Sequence, residues 1–300
     1  MTIVCCWLDN SYSRSRITAI ADARASVRLS PTVTQAVNDN TTKLFKTIVN
    51  CYELSGLNMA TGSWDNPYFS TEIGLGYAGS CYEAMSIIAL FQRCASQLVS
   101  DAVPASKPRP DGIATMLVEI AARWFSTHVC ADDVTVTFLL FGFSPLDGKP
   151  WAAEIRCTKA KGVRLENVSW DLTESETYIC GDMALAGKQD IEKFRHRIQK
   201  HGRSVRDDRD TESRCESELA RAKHSIAEKK FLEKVVLDDI ASEFRSSIGG
   251  VLQKIEIVPI DGNRGVASYS RHDATDILDG LSQVGNNLGF IPTAAALGWN

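Results

Sequence analysis

The order of the apolar segments constrains the fold of this chain most strongly. Short β-prone segments come first, two segments of helical periodicity follow over residues 80–128, and strands, two further helical segments and a last strand come after them. A period of about 3.6 predicts helices, and alternating β-branched segments predict strands. Two sheets packed face to face, with a helical pair on each outer side, would bury every apolar face. We therefore predict an α+β protein, a four-layer αββα sandwich, although the order alone also permits a plain two-layer α+β fold.

The predicted elements also set the expected domain limits. A β-hairpin is expected at the start, because residues 2–8 and 17–21 are apolar and the residues between them are polar. The second helical pair is expected over residues 183–247, followed by a strand that ends near residue 259. We predict one domain over residues 1–260 and a C-terminal extension over residues 261–300.

Composition excludes several classes of function. The net charge is −4, which argues against a nucleic-acid binder that works through a large basic field. The nine cysteines do not have metal-ligand spacing, so we expect no metal, and reduced thiols point to a reducing compartment. We expect no cofactor. No signal peptide and no apolar run of membrane-spanning length is present, so we expect a cytoplasmic protein without a membrane partner.

Thr2 is the first candidate for chemistry. Its small side chain would allow Met1 to be removed, and its free amine would then lie close to its own hydroxyl. The pKa of an unperturbed α-amine is about 7.7–8.0, which suits a general base near neutral pH. A threonine with a free amine is a recognised nucleophile, although a threonine after the start methionine is also an ordinary occurrence.

Three short sequence pieces add to this hypothesis. They are Thr-Ile-Val at residues 2–4 with Ala-Asp-Ala-Arg-Ala-Ser at 21–26, Thr-Lys-Leu-Phe-Lys at 42–46, and Gly-Tyr-Ala-Gly-Ser at 76–80. In this order they resemble proteasome β subunits and the bacterial peptidase that partners a heat-shock ATPase. Both belong to the proteasome-like N-terminal nucleophile hydrolases, which have the αββα fold.

The resemblance implies a role for each matching residue. Thr2 would be the nucleophile, Lys43 the active-site lysine, and Asp22 the carboxylate that holds this lysine in place. Gly79 would supply the backbone N–H that faces the developing oxyanion. Asp182 stands where the family has a serine that assists proton transfer, and this departure puts the activity of the site in doubt.

The function expected from the resemblance is that of a threonine-type endopeptidase, whose chemistry needs no ATP, in a self-assembled ring. Peptides or proteins would be the substrate, and an ATPase partner is possible. Two alternatives stay open, a non-peptidase amidohydrolase and a catalytically inactive structural subunit. Asp182 favours the inactive subunit. The additional residues 56–70, expected near the substrate cleft, would favour the amidohydrolase if they closed it. Homo-oligomerisation is expected through the second helical pair, which carries Phe231, Val235 and Val236.

Overall fold

The computed structural model describes residues 3–10, 15–28, 34–39, 41–58, 63–64, 66–101, 106–181, 250, 252–260 and 263–271. Its strands are β1 (Ile3–Asp9), β2 (Arg16–Ala21), β3 (Ala25–Arg28), β4 (Thr34–Asn38), β5 (Leu44–Glu53), β6 (Leu57–Asn58), β7 (Ser63–Trp64), β8 (Phe69–Gly79), β9 (Leu98–Ser100), β10 (Thr135–Phe143), β11 (Pro150–Thr158), β12 (Gly162–Ser169), β13 (Thr177–Gly181), β14 (Gln253–Ile260) and β15 (Arg264–Arg271). The α-helices in these residues are α1 (Cys81–Ala95) and α2 (Pro110–Thr127).

Two large sheets organise the described residues. The first has five strands in the order β13-β1-β2-β14-β15, and all neighbours are antiparallel. The second has six strands in the order β12-β11-β10-β8-β5-β9, in which β5 and β9 run parallel. The hairpin predicted at the start of the chain is confirmed, since β1 pairs with β2 and Val4 lies opposite Ala21.

The sheets face each other across an apolar layer. Alternate residues of β1, namely Val4, Cys6 and Leu8, belong to this layer together with Phe141 and Phe143 of β10. Successive side chains of a strand point to opposite faces, so the remaining residues of β1 lie on the outer face. The other face of the six-stranded sheet packs against α1 and α2, which form a second core with it. Both helices therefore lie on one side of the paired sheets.

The predicted four-layer αββα sandwich is wrong. Most of the described residues are in strands. The described elements form three layers, namely the helical pair, the six-stranded sheet and the five-stranded sheet. The second helical pair predicted over residues 183–247 lies outside the described residues, and so do Phe231, Val235 and Val236. The prediction failed because strand periodicity shows which faces are apolar but does not identify the element that covers them.

The described part of the additional residues 56–70 lies far from Lys43 and from Gly79. Strand β5 starts one residue after Lys43 and β8 ends at Gly79, so the described part of residues 56–70 lies at the opposite ends of these strands. Ten residues of extended chain span about 33 Å. The described part of this segment therefore lies far from Lys43, and the expectation that residues 56–70 lie near the substrate cleft stays a prediction.

The sheet continues beyond residue 260. Strand β15 pairs with β14 along its length, from Ile260↔Arg264 to Gln253↔Arg271. It also contacts the second sheet, because the Gly265 amide donates to the Thr71 hydroxyl at 2.8 Å. The division into residues 1–260 and 261–300 stays a prediction.

Candidate active site

A buried ion pair joins the end of β2 to the start of β5. Asp22 follows β2 directly and Lys43 precedes β5, and the Lys43 Nζ lies 2.9 and 3.0 Å from the two Asp22 carboxylate oxygens. Asp22 is 0% exposed and Lys43 is 1% exposed. A buried charge without its partner costs several kcal/mol, so each group requires the other. The pair therefore fixes two strand ends, from different sheets, against each other.

The Asp22 carboxylate also binds the first described residue of the chain. The Ile3 amide donates to one carboxylate oxygen at 3.0 Å, and the Arg24 amide donates to the other at 3.2 Å. Residue 2 is covalently attached to the Ile3 nitrogen. The charged pair is consequently in contact with the backbone nitrogen of Ile3, through which the chain continues to residue 2.

Burial changes the acid–base behaviour of Lys43. Removal of the ammonium from water lowers the pKa of Lys43, and the Asp22 carboxylate, by its charge and hydrogen bond, raises it by less, so the net direction is downwards. The charged form is held by the contact with Asp22. In a low-dielectric interior such a cation acts strongly on neighbouring polar groups.

Gly79 ends β8 with a conformation that only glycine adopts readily. Its φ is +111°, and a Cβ at this position would lie 2.2 Å from the Thr135 carbonyl oxygen. The Tyr77 amide donates to the Lys43 carbonyl at 3.1 Å, and the Ser80 amide donates to the Thr135 carbonyl at 3.0 Å. Amides alternate in direction along a strand, so the Gly79 N–H faces the β5 side, beyond the first β5 pair at Leu44. This donor therefore points towards the side of β8 on which Lys43 lies.

Helix α1 begins directly after Gly79. Ser80 is its N-cap, and its hydroxyl donates to the Glu83 carboxylate instead of accepting from a backbone amide. The Tyr77 hydroxyl lies 3.2 Å from the Cys81 sulfur, and burial raises the pKa of Tyr77 above its ordinary value. The N-terminus of a helix carries partial positive charge, which favours an anion.

These elements surround one cavity, referred to below as the lysine cavity. Its volume is about 220 Å³. The lining residues are Arg24, Ala25, Ser26, Lys43, Tyr77, Gly79, Ser80 and Cys81.

The lysine cavity brings together part of the predicted site. Lys43 and Gly79 line it, and Asp22 lies directly behind Lys43. Thr2 and Asp182 lie outside the described residues. Sequence reasoning missed Tyr77 and Cys81, although both lie within two residues of Gly79.

A second glycine pattern at the same place has a structural explanation. Residues 74–79 fit the Gly-x-Gly-x-x-Gly pattern of dinucleotide-binding loops, which requires a strand, a tight turn and a helix in a parallel unit. Here Gly74 and Gly76 lie inside β8, between two antiparallel neighbours. A Cβ at Gly74 would lie 2.1 Å from the Phe141 ring, so this glycine makes room for the neighbouring strand.

Other nucleophiles and metal sites are less favourable. Burial raises the pKa of Cys5 to about 12, and burial with the neighbouring thiol raises the pKa of Cys6 well above its ordinary value. Neither thiol ionises near neutral pH. Within the described ranges, His, Cys, Asp and Glu form no cluster of three or more that could hold a metal. In the same part of the chain, no helix is long and apolar enough to span a membrane.

Comparisons with known proteins give similarity at the level of structure only. The chain matches no protein-family model and no curated protein. It is similar to the Anbu complex from Pseudomonas aeruginosa, described as a helical assembly, with 13% identity, 96% of this chain and 94% of that chain covered, and a TM-score of 0.46. It is also similar to Anbu (ancestral beta-subunit) from Yersinia bercovieri, with 12% identity, 96% of this chain and 95% of that chain covered, and a TM-score of 0.45. For a mutant of Anbu from Hyphomicrobium sp. strain MC1 the identity is 12%, the coverage is 96% of this chain and 94% of that chain, and the TM-score is 0.47.

These findings correct the resemblance inferred from the sequence. Neither a family model nor a curated protein supports membership among proteasome β subunits or the bacterial peptidase, and the similar structures above are Anbu proteins. The matching sequence pieces were too short to identify a family. The TM-scores are below 0.5, so the function proposed below rests on the geometry of the site.

Proposed function

We propose that this chain hydrolyses amide bonds with Thr2 as an N-terminal nucleophile after removal of Met1. One observation carries the proposal, namely the buried Lys43–Asp22 pair whose carboxylate accepts the amide of Ile3. This contact places the buried ammonium and carboxylate beside the Ile3 nitrogen, to which residue 2 is attached. A structural ion pair alone would not require a cavity beside it, yet Lys43 also lines one.

The proposed reaction uses the free amine of Thr2 as the base. The amine accepts the hydroxyl proton while the hydroxyl oxygen attacks the carbonyl carbon of the substrate. The Lys43 ammonium lowers the pKa of both groups by its charge. The carbonyl oxygen becomes an oxyanion that accepts the Gly79 N–H. The leaving amine takes the proton, an ester remains on Thr2, and water then hydrolyses this ester.

Asp182 is proposed to assist proton transfer. Ile3 of β1 lies opposite Gly181 of β13 in an antiparallel pair. In the sequence, Thr2 precedes Ile3 and Asp182 follows Gly181. A carboxylate there could exchange a proton with the Thr2 amine, and could also hold the amine charged, which would slow the reaction.

A peptide is the proposed substrate class. The described part of residues 56–70 lies at the far ends of β5 and β8 and does not close the lysine cavity over a small amide. We also propose self-association, because Tyr82, Met85 and Leu90 of α1 expose apolar side chains. Sedimentation velocity at micromolar concentration checks this, and a monomer would contradict it.

Hydrolysis of a panel of fluorogenic peptide amides by Thr2 variants tests the function. Thr2→Ala should lose all enzyme-dependent hydrolysis, because it removes the attacking oxygen. Thr2→Ser should keep part of it, because the hydroxyl and the amine remain. Thr127→Ala is the matched control, since this exposed threonine ends α2. Undiminished hydrolysis in Thr2→Ala would show that another residue is the nucleophile.

A further inference from the structure

One buried glutamine binds the segment that carries Lys43. Gln253 of β14 is 0% exposed. Its side-chain oxygen accepts the Lys43 amide at 2.9 Å and the Leu44 amide at 3.4 Å, and its Nε2 donates to the Thr41 carbonyl at 2.7 Å. A buried amide side chain is costly unless it is hydrogen-bonded, and here both ends of the amide are bonded to one short stretch of backbone.

The position of Gln253 departs from the pattern of its strand. Ile255 and Ile257 of β14 belong to the apolar layer between the sheets, and Gln253 follows the same period of two. An apolar residue would suit this face. Residues 41–43 have no regular secondary structure, so their backbone groups need partners from elsewhere. The glutamine supplies two such contacts, at the Thr41 carbonyl and the Lys43 amide, and the Ala23 carbonyl accepts the Thr41 amide at 2.8 Å.

The backbone of Gln253 meets the strand that carries Asp22. In the pairing of β14 with β2, Gln253 lies opposite Ala21, the residue before Asp22. Its main chain therefore holds one side of the ion pair in register, and its side chain holds the other. Asp22 and Lys43 come from strands of different sheets, so their relative position depends on links between the sheets.

We propose that Gln253 is a positioning residue that sets the Lys43 ammonium against Asp22 and Thr2, a role that rests on the proposed function. It does not belong to the lining of the lysine cavity, so it would act on a substrate bound there only through Lys43. Loss of its side-chain contacts lets residues 41–44 shift, and the ammonium shifts with them. A misplacement of about 1 Å in such a site costs on the order of 100-fold in rate.

Three variants test this role. Gln253→Met keeps the length of the side chain and removes both hydrogen-bonding ends. Gln253→Glu keeps the oxygen that accepts the Lys43 and Leu44 amides. Lys254→Met is the control, because Lys254 is the next residue of β14, faces the other way and pairs with Glu256 at 3.0 Å.

Kinetics should separate positioning from loss of folded protein. In Gln253→Met we expect kcat to fall on the order of 100-fold with KM unchanged, and Gln253→Glu should lie between it and the wild type. The acidic limb of the pH–rate profile should move to higher pH, since a displaced ammonium lowers the pKa of the Thr2 amine less. Partial unfolding would lower the rate equally at every pH. An unchanged kcat in Gln253→Met would overturn the role.

Hydrogen exchange gives a readout that does not need activity. The amides of Lys43 and Leu44 should exchange faster in Gln253→Met than in the wild type and Lys254→Met. If the wild type shows no Thr2-dependent hydrolysis, the proposed function fails. Hydrogen exchange alone then tests whether the Gln253 side chain holds the backbone of residues 41–44. Faster exchange only in Gln253→Met then supports it, and equal exchange in all three proteins overturns it.

Discussion

The two ends of β5 and β8 hold two cavities of different character. The lysine cavity, at the Lys43 end, measures about 220 Å³. The opposite cavity measures about 330 Å³ and is lined by residues that include Cys51, Tyr68 and Arg109. Arg109 pairs with Asp111 at 2.9 Å, with 71% and 49% of these side chains exposed. The larger cavity therefore has a solvated ion pair, and the smaller one has a buried ion pair.

This difference shows why cavity size alone does not locate a site. A solvated pair contributes about 0–1 kcal/mol and is easily replaced. A buried pair is costly to form and acts strongly on its neighbours, which makes it a stronger sign of function. The glycines differ in the same way. Gly79, beside the buried pair, has no room for a Cβ, whereas a Cβ at Gly112, beside the opposite cavity, would meet nothing within 4 Å.

The largest expected effect is that of Lys43→Met. Loss of the ammonium should reduce hydrolysis by about 10³-fold, as for other preorganised charges. It also leaves Asp22 buried without its cation, which should lower the free energy of unfolding by about 3–5 kcal/mol. Peptide hydrolysis and urea unfolding measure the two effects.

Two controls separate the catalytic effect of Lys43 from stability. The double variant Lys43→Met/Asp22→Asn removes the unpaired carboxylate, so it should recover stability without recovering activity. Arg109→Met, in the opposite cavity, should leave the rate of hydrolysis within about a factor of two and the free energy of unfolding within about 1 kcal/mol, since its ion pair is solvated. A large loss of hydrolysis in Arg109→Met would move the site to the opposite cavity.

The two glycines provide the second comparison. Gly79→Ala forces a methyl group against the Thr135 carbonyl at positive φ, so we expect a destabilisation of more than about 1 kcal/mol and a loss of about 10²-fold in rate. Gly112→Ala lies in α2 and should stabilise the protein by about 0.5–1 kcal/mol. Thermal unfolding and kinetics check both variants. Equal effects of the two substitutions would remove the distinction between the cavities.

Among the changes to the lysine cavity and its ion pair, Asp22→Asn should have the smallest effect on rate, roughly tenfold, because it removes one charge-assisted contact and keeps the shape. Asp22 raises the pKa of Lys43 against the effect of burial, so its neutralisation lowers this pKa further. Lys43 then loses its proton at a lower pH, and the alkaline limb of the pH–rate profile should move to lower pH. A limb that stays in place would mean that Lys43 does not titrate in that limb.

Strong local patterns made part of this structure predictable. The β1–β2 hairpin, the strand that ends at Gly79 and the helix that begins after Ser80 follow from periodicity, glycine and capping. The resemblance selected Asp22 and Lys43 correctly as neighbours, although it did not identify the family.

The missed features depend on long-range contacts or on weak patterns. Strand β12 is largely exposed at the edge of its sheet, and its sequence does not alternate. Gln253 acts on Lys43 across 210 residues, and its sequence shows only a polar residue before two alternating isoleucines. The glycine pattern of residues 74–79 is weak evidence in a sequence, because it suits a phosphate loop as well as a close approach of strands.

The central claim is that the buried pair activates the first residues of the chain, and covalent labelling tests it most directly. The protein is treated with an electrophile that reacts with both the hydroxyl and the amine of an N-terminal threonine, and intact mass and peptide mapping follow. We predict removal of Met1 and one adduct on the peptide that begins at Thr2, with none in Thr2→Ala and slow labelling in Lys43→Met. Retained Met1, or equal labelling of wild type and Lys43→Met, would contradict the account.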